Sequence, residues 1–229
     1  MNYVVIIPSY NPQGEFVRIV RDISERGIDR IIVIDDGSYD KRYFNEIEGY
    51  QYIDIIRHDK NMGKGISLKD GYKYYLDNYS DKYMGVVCMD CDGQHRVDDM
   101  INVGNEMVNS NMFTLGVRDF DKELVPVRNR MGNRITSWVF RLFFGKYIKD
   151  TQTGLRGIPN RLIPMVLDSQ GERFEYEMNM LIDMVRLNEE IKEVDIDTIY
   201  KDKGIRRSYF KPIRDSFLVY REIIKRIKK

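Results

Sequence analysis

The segment Asp90-Cys91-Asp92 places two carboxylates one residue apart, directly after an apolar run of strand length. Carboxylate oxygens suit hard divalent cations, and Mg2+ in particular is usually held by one or two carboxylates together with substrate phosphates. Asp and Gly are also ordinary residues of a solvated turn, so this pair alone does not separate a cation site from a turn. The segments expected beside it decide between the two interpretations.

A second segment, Asn-Met-Gly-Lys-Gly at 61–65, offers chemistry for an anion. Its glycines allow close approach of backbone N–H groups, and Lys64 stands where a predicted helix begins, an arrangement that suits a phosphate. The spacing matches neither a P-loop nor the dinucleotide fingerprint G-x-G-x-x-G. A glycine-containing turn before a helix is the alternative.

Elements that position these residues follow from the hydrophobic pattern. Apolar runs of strand length recur at 3–7, 31–34, 52–56, 84–89 and 112–117. Helix-length periodic segments lie between them, notably at 15–26, 65–78 and 97–110. This alternation predicts an α/β fold with a single, mostly parallel, Rossmann-like sheet flanked by helices. Ligands bind beyond the carboxyl ends of such strands, so we expect four strand ends to converge on one crevice: 8–11, 35–38, 58–65 and 90–92.

The second half of the chain is less regular. We predict helices at 128–144 and 174–187, a polar loop at 150–157 that leads to a short strand, and a strand at 191–199. No linker, repeat or low-complexity tract requires a domain boundary within it. We therefore expect one domain over 1–210, with halves 1–117 and 118–210.

The last segment, 211–229, mixes apolar residues with many Lys and Arg, a pattern typical of a basic amphipathic helix. Such a helix either lies on a membrane surface or packs on the domain. No run approaches the roughly 20 apolar residues that a spanning helix needs.

Composition narrows the function classes. Lys plus Arg number 37 against 36 for Asp plus Glu, so the balance gives no reason to expect a nucleic-acid partner. The two cysteines, Cys88 and Cys91, form no disulfide framework, and their C-x-x-C spacing at a strand end without a second pair argues against redox and zinc sites. No signal-type leader follows Met1, so we expect a cytoplasmic protein.

A group of arginines follows the fifth predicted strand: Arg118, Arg128, Arg130 and Arg134. The guanidinium fork suits phosphate oxygens, so the group predicts a second phosphate site apart from the first. Solvated helix charges are the alternative.

The chain resembles family 2 glycosyltransferases of the GT-A fold, specifically the polyprenyl-phosphate group that contains dolichyl-phosphate mannose synthase and bacterial undecaprenyl-phosphate glucosyl-type transferases. The resemblance runs from about residue 4 to residue 220. The segments that carry it are IIPSYN (6–11), VIDDGS (33–38), NMGKG (61–65), MDCDGQH (89–95), RMGNR (130–134), DTQTGLR (150–156) and RFEYE (173–177).

The resemblance implies roles for particular residues. Half 1–117 would bind the nucleotide sugar and half 118–210 would face the acceptor. The implied nucleotide-sugar contacts are Pro8, Tyr10, Asn11, Asp36, Lys64, Asp90 and Asp92. The implied ligands of Mg2+ or Mn2+ are Asp90, Asp92 and Gln94. The implied catalytic residues are Asp90, Asp92, Asp150 and Gln152, and the implied acceptor-phosphate residues are Arg118, Arg128, Arg130 and Arg134.

The sequence also departs from the family pattern. Pro12 replaces the usual acid after Tyr-Asn, and Glu15 is a candidate substitute. Val117 replaces the serine that commonly precedes the arginine at the fifth strand end. Many relatives carry C-terminal membrane helices, and this sequence stops at Lys229 without them.

We therefore expect an inverting, metal-dependent glycosyltransferase that moves a sugar from a UDP- or GDP-sugar to a polyprenyl phosphate. It would act as a peripheral protein at the inner face of the membrane, on the membrane surface or with a separate membrane subunit; a homo-oligomer is left open. An alkyl phosphate acceptor is largely dianionic near neutral pH because its second pKa is about 6, so it needs no general base. A sugar hydroxyl would need one, ordinarily a carboxylate.

Other functions remain as alternatives. Transfer to a saccharide hydroxyl in cell-wall, capsule or exopolysaccharide synthesis would be accompanied by a Gln-x-x-Arg-Trp motif, which is absent, although Asp150 keeps this reading open. A nucleotidyltransferase would show a glycine-rich, arginine-containing loop after the first strand, and residues 8–11 are not such a loop. A non-catalytic nucleotide-sugar-binding or partner-binding protein is disfavoured by the intact carboxylates.

Overall fold

The computed structural model describes residues 1–120, 127–197, 221 and 226, apart from the side chains of 127–131. Its strands are β1 (Val4–Ser9), β2 (Ile31–Asp35), β3 (Ile53–Arg57), β4 (Gly85–Cys88), β5 (Phe113–Arg118), β6 (Arg156–Pro159) and β7 (Ile191–Ile196). Its helices are α1 (Glu15–Glu25), α2 (Arg42–Ile47), α3 (Lys64–Asn78), α4 (Val97–Ser110), α5 (Val127–Phe144), α6 (Ile163–Asp168) and α7 (Glu175–Arg186). A 3-10 turn, Asn160–Leu162, precedes α6.

All seven described strands form one sheet in the order β3-β2-β1-β4-β6-β5-β7. Strands β3, β2, β1 and β4 are parallel neighbours, as are β5 and β7. Strand β6 runs antiparallel to both β4 and β5. The prediction of an α/β fold with one mostly parallel sheet is confirmed, and β6 joins the four parallel strands β3, β2, β1 and β4 to the parallel pair β5 and β7.

The sheet is covered on both faces, which explains why its central strands are continuous apolar runs. Along β1, Val4 and Ile6 belong to a core that includes residues of α3, α6 and α7. Val5 and Ile7 belong to the opposite core, with residues of α1, α2 and α4. Alternate side chains of one strand therefore anchor two different helical layers.

The structure adds elements that the hydrophobic pattern did not predict. Helices α2 and α6 have only six residues each, too few for a clear helical period. The antiparallel direction of β6 was also not predicted, because four residues carry no signal of strand direction.

The predicted C-terminal helix, 211–229, and the boundary at 210 lie outside the described residues, except for Arg221 and Arg226. Arg226 makes an ion pair with Asp183 of α7, with Nη1 2.6 Å from Oδ1. Among the described residues, no helix is long and apolar enough to cross a membrane.

Candidate active site

Four strand ends lie side by side at one edge of the sheet, because β3, β2, β1 and β4 are consecutive parallel neighbours. Segments 8–11, 35–38 and 58–65 therefore open on the edge where Asp90 follows β4. This is the arrangement that the sequence predicted for the crevice.

Asp36 organises the loop before α3. Its Oδ1 accepts the N–H of Met62 at 2.7 Å, and its Oδ2 accepts the N–H of Gly63 at 2.9 Å. His58 Nδ1 lies 2.8 Å from the same Oδ1. Within the segment 61–65, which the sequence offers to an anion, the amides of Met62 and Gly63 are therefore taken by the protein's own carboxylate.

The loop before α7 also packs against the start of α3. The carbonyl oxygen of Glu172 accepts the N–H of Ile66 at 3.1 Å. Gly63 has a φ of 106°, and a Cβ there would lie 2.5 Å from the same carbonyl oxygen. The glycine therefore allows the start of α3 to lie close to the loop before α7.

The β1 and β2 ends are tied together by Asn11. Its backbone N–H donates to Ser38 Oγ at 2.8 Å, and its side-chain Oδ1 accepts the N–H of Tyr39 at 2.9 Å. Pro8 is buried in β1, and Tyr10 is half-buried beside it. The predicted nucleotide side of the site is thus a pair of loops linked by two hydrogen bonds.

Lys64 lies between two carboxylates. Its Nζ is 2.7 Å from Asp90 Oδ1 and 2.9 Å from Glu177 Oε2, on α7. Burial alone would lower the pKa of Lys64, but the two carboxylates outweigh it and raise that pKa above its usual value. Burial alone would raise the pKa of Asp90, and the Lys64 charge holds it below its usual range. Asp90 is therefore ionised at neutral pH with a resident counter-ion.

Asp92 lies at the surface of the same edge, where Gln94 holds it. Gln94 donates its backbone N–H to Asp92 Oδ1 at 3.0 Å and its side-chain Nε2 to Oδ2 at 2.6 Å. Desolvation by the surrounding protein and then the charge of Asp90 raise the pKa of Asp92 above its usual value. The two aspartates thus repel each other across this edge.

This donor set fits a divalent cation. Among the described residues, no three His, Cys, Asp or Glu side chains form a group that could hold a metal ion. Two carboxylates are nevertheless the usual protein contribution to a Mg2+ site completed by substrate phosphates. A cation between Asp90 and Asp92 would offset the repulsion that raises the pKa of Asp92.

Gly154 brings the second half of the chain against this edge. A Cβ added at Gly154 would overlap Asp90 Oδ2 and would lie 2.8 Å from its Cγ. The absence of a side chain therefore makes room for the Asp90 carboxylate. The pairing of β4 with β6 explains the proximity, since Gly154 stands just before β6.

Arg118 and Asp150, which the resemblance places on the acceptor side, form an ion pair. Arg118 Nε is 2.6 Å from Asp150 Oδ2, and Arg118 Nη2 is 3.0 Å from Oδ1. Gln152 donates its backbone N–H to Oδ1 at 3.1 Å, while its side chain is exposed. The Arg118 guanidinium also lies 5.0 Å from the centre of the Phe120 ring.

Of the other three predicted arginines, the structure describes the side chain of Arg134 alone. The side chains of Arg128 and Arg130 lie outside the described residues, and Arg134 is exposed on α5. On the same helix, Asn133 donates from Nδ2 to the carbonyl oxygen of Lys149 at 2.6 Å, which fixes α5 beside Asp150.

Cys88 and His95 are buried and Cys91 is half-buried, and none of the three carries a charge at neutral pH. Burial raises the pKa of both Cys88 and Cys91 to about 12, and Cys88 Sγ lies 3.1 Å from the hydroxyl of Tyr72. Burial lowers the pKa of His95 to about 4, so its imidazole is neutral at pH 7.

Two site residues were missed by sequence reasoning. Glu177 belongs to the quoted RFEYE segment, but its contact with Lys64 joins residues 113 positions apart and leaves no local signal. Gly154 belongs to DTQTGLR, where a glycine is equally typical of a turn. Both became visible only when the sheet order was known.

The chain is similar to known proteins over most of its length. The chain is 29% identical to the UDP-N-acetylglucosamine–dolichyl-phosphate N-acetylglucosaminyltransferase of Methanococcus voltae, over 89% of this chain and 88% of that protein. It is 24% identical to the glycosyltransferase AglJ of Haloferax volcanii, over 98% of this chain and 71% of that protein.

Solved structures show the same fold. A glucosyl-3-phosphoglycerate synthase from Mycobacterium tuberculosis, in complex with Mn2+, UDP and phosphoglyceric acid, matches 97% of this chain and 76% of its own with a TM-score of 0.71 and 14% identity. The same enzyme in complex with Mg2+ and UDP matches with a TM-score of 0.69. The fold of this chain is therefore GT-A.

The family model described as Glycosyl transferase family 2 matches residues 4–165, a range that includes Pro8, Asp90 and Gly154. The chain therefore belongs to glycosyl transferase family 2 and is a glycosyltransferase.

Proposed function

We propose that this enzyme transfers a sugar, with inversion, from a UDP- or GDP-sugar to a polyprenyl phosphate at a membrane surface, with a divalent cation at Asp90 and Asp92. The observation that carries the choice of acceptor is the ion pair between Arg118 and Asp150.

Asp150 is the carboxylate that a hydroxyl acceptor would need as a general base. Both of its oxygens already accept hydrogen bonds, from Arg118 Nε and Nη2 and from the Gln152 N–H. A base needs a free lone pair directed at the proton that it removes. A phosphate acceptor requires no proton removal near neutral pH. The occupied state of Asp150 therefore favours a phosphate nucleophile.

Arg118 then has a role that does not depend on a base. Its guanidinium is fixed in orientation by Asp150, and an arginine held in this way suits the oxygens of an incoming phosphate. The name of the Methanococcus voltae relative, a dolichyl-phosphate transferase, supports the same class of acceptor.

Two carboxylates support the proposed binding of the nucleotide-sugar donor. Asp90 and Asp92 would hold the cation, and Gln94 would keep Asp92 in place through its two hydrogen bonds. When bound, a divalent cation at this position supplies charge stabilisation for the departing nucleoside diphosphate. The solved neighbours with Mn2+ or Mg2+ and UDP support this arrangement.

The exposed face of α5 supports a membrane surface as the place of action. Ile135, Trp138 and Leu142 are 50%, 62% and 76% exposed and follow one another at helical spacing. Arg141 lies 5.6 Å from the Trp138 ring centre. An apolar ridge with a flanking cation is typical of a helix that lies in a lipid interface.

Thermal unfolding tests the donor part of the proposal. We expect Mn2+ or Mg2+ to raise the melting temperature when UDP or GDP is present, and to have little effect without nucleotide, because the diphosphate completes the coordination. The Asp92→Asn variant should lose this nucleotide-linked shift. Absence of any such shift in the unmodified protein would contradict the proposal.

A further inference from the structure

Four charged groups of alternating sign connect the core to the cation edge. Arg156, on β6, is 1% exposed and lies 3.9 Å from Glu177 through Nε and Oε1. Glu177 lies 2.9 Å from Lys64, and Lys64 lies 2.7 Å from Asp90. No part of the proposed transfer reaction uses Glu177.

The nearer partner of Glu177 is Lys64 rather than Arg156. Arg156 donates from Nη1 to the carbonyl oxygen of Glu177 at 2.7 Å and from Nε to the carbonyl oxygen of Thr153 at 2.9 Å. Backbone oxygens therefore orient Arg156, while the Glu177 carboxylate is directed at Lys64. The Glu177 side chain is 10% exposed, so its charge is only weakly screened by water.

Lys64 occupies an oxygen that a cation would use. Its ammonium lies at hydrogen-bond distance from Asp90 Oδ1, and a divalent cation on that oxygen would place three positive charges within a few ångströms. Such repulsion is substantial where water is partly excluded. A cation on that oxygen would displace the lysine, and Glu177 is the carboxylate already within reach of its ammonium.

We propose that Glu177 is a positioning residue that takes over the Lys64 ammonium when a divalent cation binds Asp90. This inference rests on the proposed cation site. Lys64 neutralises Asp90 when no cation is bound, and Glu177 keeps the displaced ammonium beside the site when one is.

Binding of Mn2+ to the full chain, followed by electron paramagnetic resonance of free Mn2+ without and with UDP, tests the exchange. Glu177→Gln should weaken Mn2+ binding about tenfold, because Lys64 then has Asp90 as its one strong partner, and Lys64→Met should tighten it about tenfold. In the Lys64→Met background, Glu177→Gln should change Mn2+ affinity less than about twofold, since the effect passes through the lysine.

Matched variants control for unspecific charge effects. Glu172→Gln makes the same change at an exposed side chain five positions before Glu177, and Lys73→Met does so at an exposed position of α3. Both should leave Mn2+ affinity unchanged. Melting temperatures identify any variant that does not fold, and if Glu177→Gln fails to fold, unchanged Mn2+ affinity in Lys64→Met overturns the exchange by itself.

The outcomes distinguish failure of the lysine exchange from failure of the cation site. Additive effects of Glu177→Gln and Lys64→Met would overturn the exchange while leaving the cation site in place, because Lys64 and the cation would then use different oxygens. Absence of Mn2+ binding to the unmodified protein, with and without UDP, would overturn the cation site and the exchange with it.

Discussion

Arg118 and Asp150 form a two-point ion pair in which Nε lies 2.6 Å from Oδ2 and Nη2 lies 3.0 Å from Oδ1, with the Asp150 side chain fully buried. The resemblance implied different roles for these residues, Arg118 at the acceptor phosphate and Asp150 among the catalytic residues. The ion pair fixes the orientation of the Arg118 guanidinium and uses both oxygens of the Asp150 carboxylate as acceptors.

Replacement of Arg118 by lysine tests that ion pair. Lysine keeps the charge but loses the fork, so we expect kcat/KM for a polyprenyl phosphate to fall about 30-fold while KM for the donor changes less than about twofold. Steady-state kinetics with each substrate varied separately measure both. Arg57→Lys, at an exposed pair with Glu48, is the control. An equal decrease in kcat/KM for the donor and for the polyprenyl phosphate would show that Arg118 does not act specifically on the acceptor.

Asp92→Asn should abolish turnover with little change in stability. The amide keeps the shape of the side chain but is a poor cation ligand, so we expect kcat to fall by about 10²–10³. Asp77→Asn, at an exposed position at the end of α3, should retain full activity. A folded Asp92→Asn variant with normal turnover would refute the cation role of this residue.

Gly154→Ala should displace the Asp90 carboxylate. The added Cβ would overlap Oδ2, and we expect weaker Mn2+ binding and a loss of activity of about tenfold or more. Gly14→Ala is a suitable control, because a Cβ there meets atoms of Tyr43 at 3.8 Å, an ordinary contact. Unchanged Mn2+ affinity in Gly154→Ala would mean that Asp90 has another usable conformation.

Asp99 predicts a pH dependence of stability. Burial, with a smaller contribution from the charge of Asp197, raises its folded pKa above the usual value. The folded state therefore favours the protonated form, and stability contributed by Asp99 is present at low pH and is lost as pH rises through the folded pKa.

We expect Asp99→Asn to raise the melting temperature at pH 7 by roughly 2 °C, and to have no such effect at about pH 3, where the carboxyl is protonated in both states. The asparagine oxygen can still accept the N–H of Asp197, which Asp99 Oδ2 accepts at 3.1 Å. Calorimetry at both pH values measures the difference, and a lower melting temperature at pH 7 would reverse the sign that we assign.

The fold and the sheet edge that carries Asp36 and Asp90 were largely predictable from local pattern. The buried strands of a doubly covered sheet are continuous apolar runs, so β1, β2 and β4 and the polar residues after them could be placed from the sequence. Parallel neighbours then bring Asp36 and Asp90 to one edge without further information.

The links between distant side chains were not predictable. The pairing of Lys64 with Glu177 and the packing of Gly154 on Asp90 depend on the position of β6 beside β4 in the sheet. The sequence of a four-residue strand does not indicate which strand it pairs with. The hydrogen bonds from the Met62 and Gly63 amides to Asp36 could not be predicted for a similar reason. The sequence before a helix identifies the backbone donors but not the distant group that accepts from them.

Transfer of labelled sugar into a lipid extract tests the central claim most directly. The protein would be incubated with short polyprenyl phosphate, Mn2+ or Mg2+ and a panel of labelled UDP- and GDP-sugars, with Asp92→Asn as the inactive control. We predict label in the organic phase that depends on the polyprenyl phosphate and on the cation. Transfer of label only to a water-soluble glycan would contradict the assignment of a lipid phosphate as the acceptor.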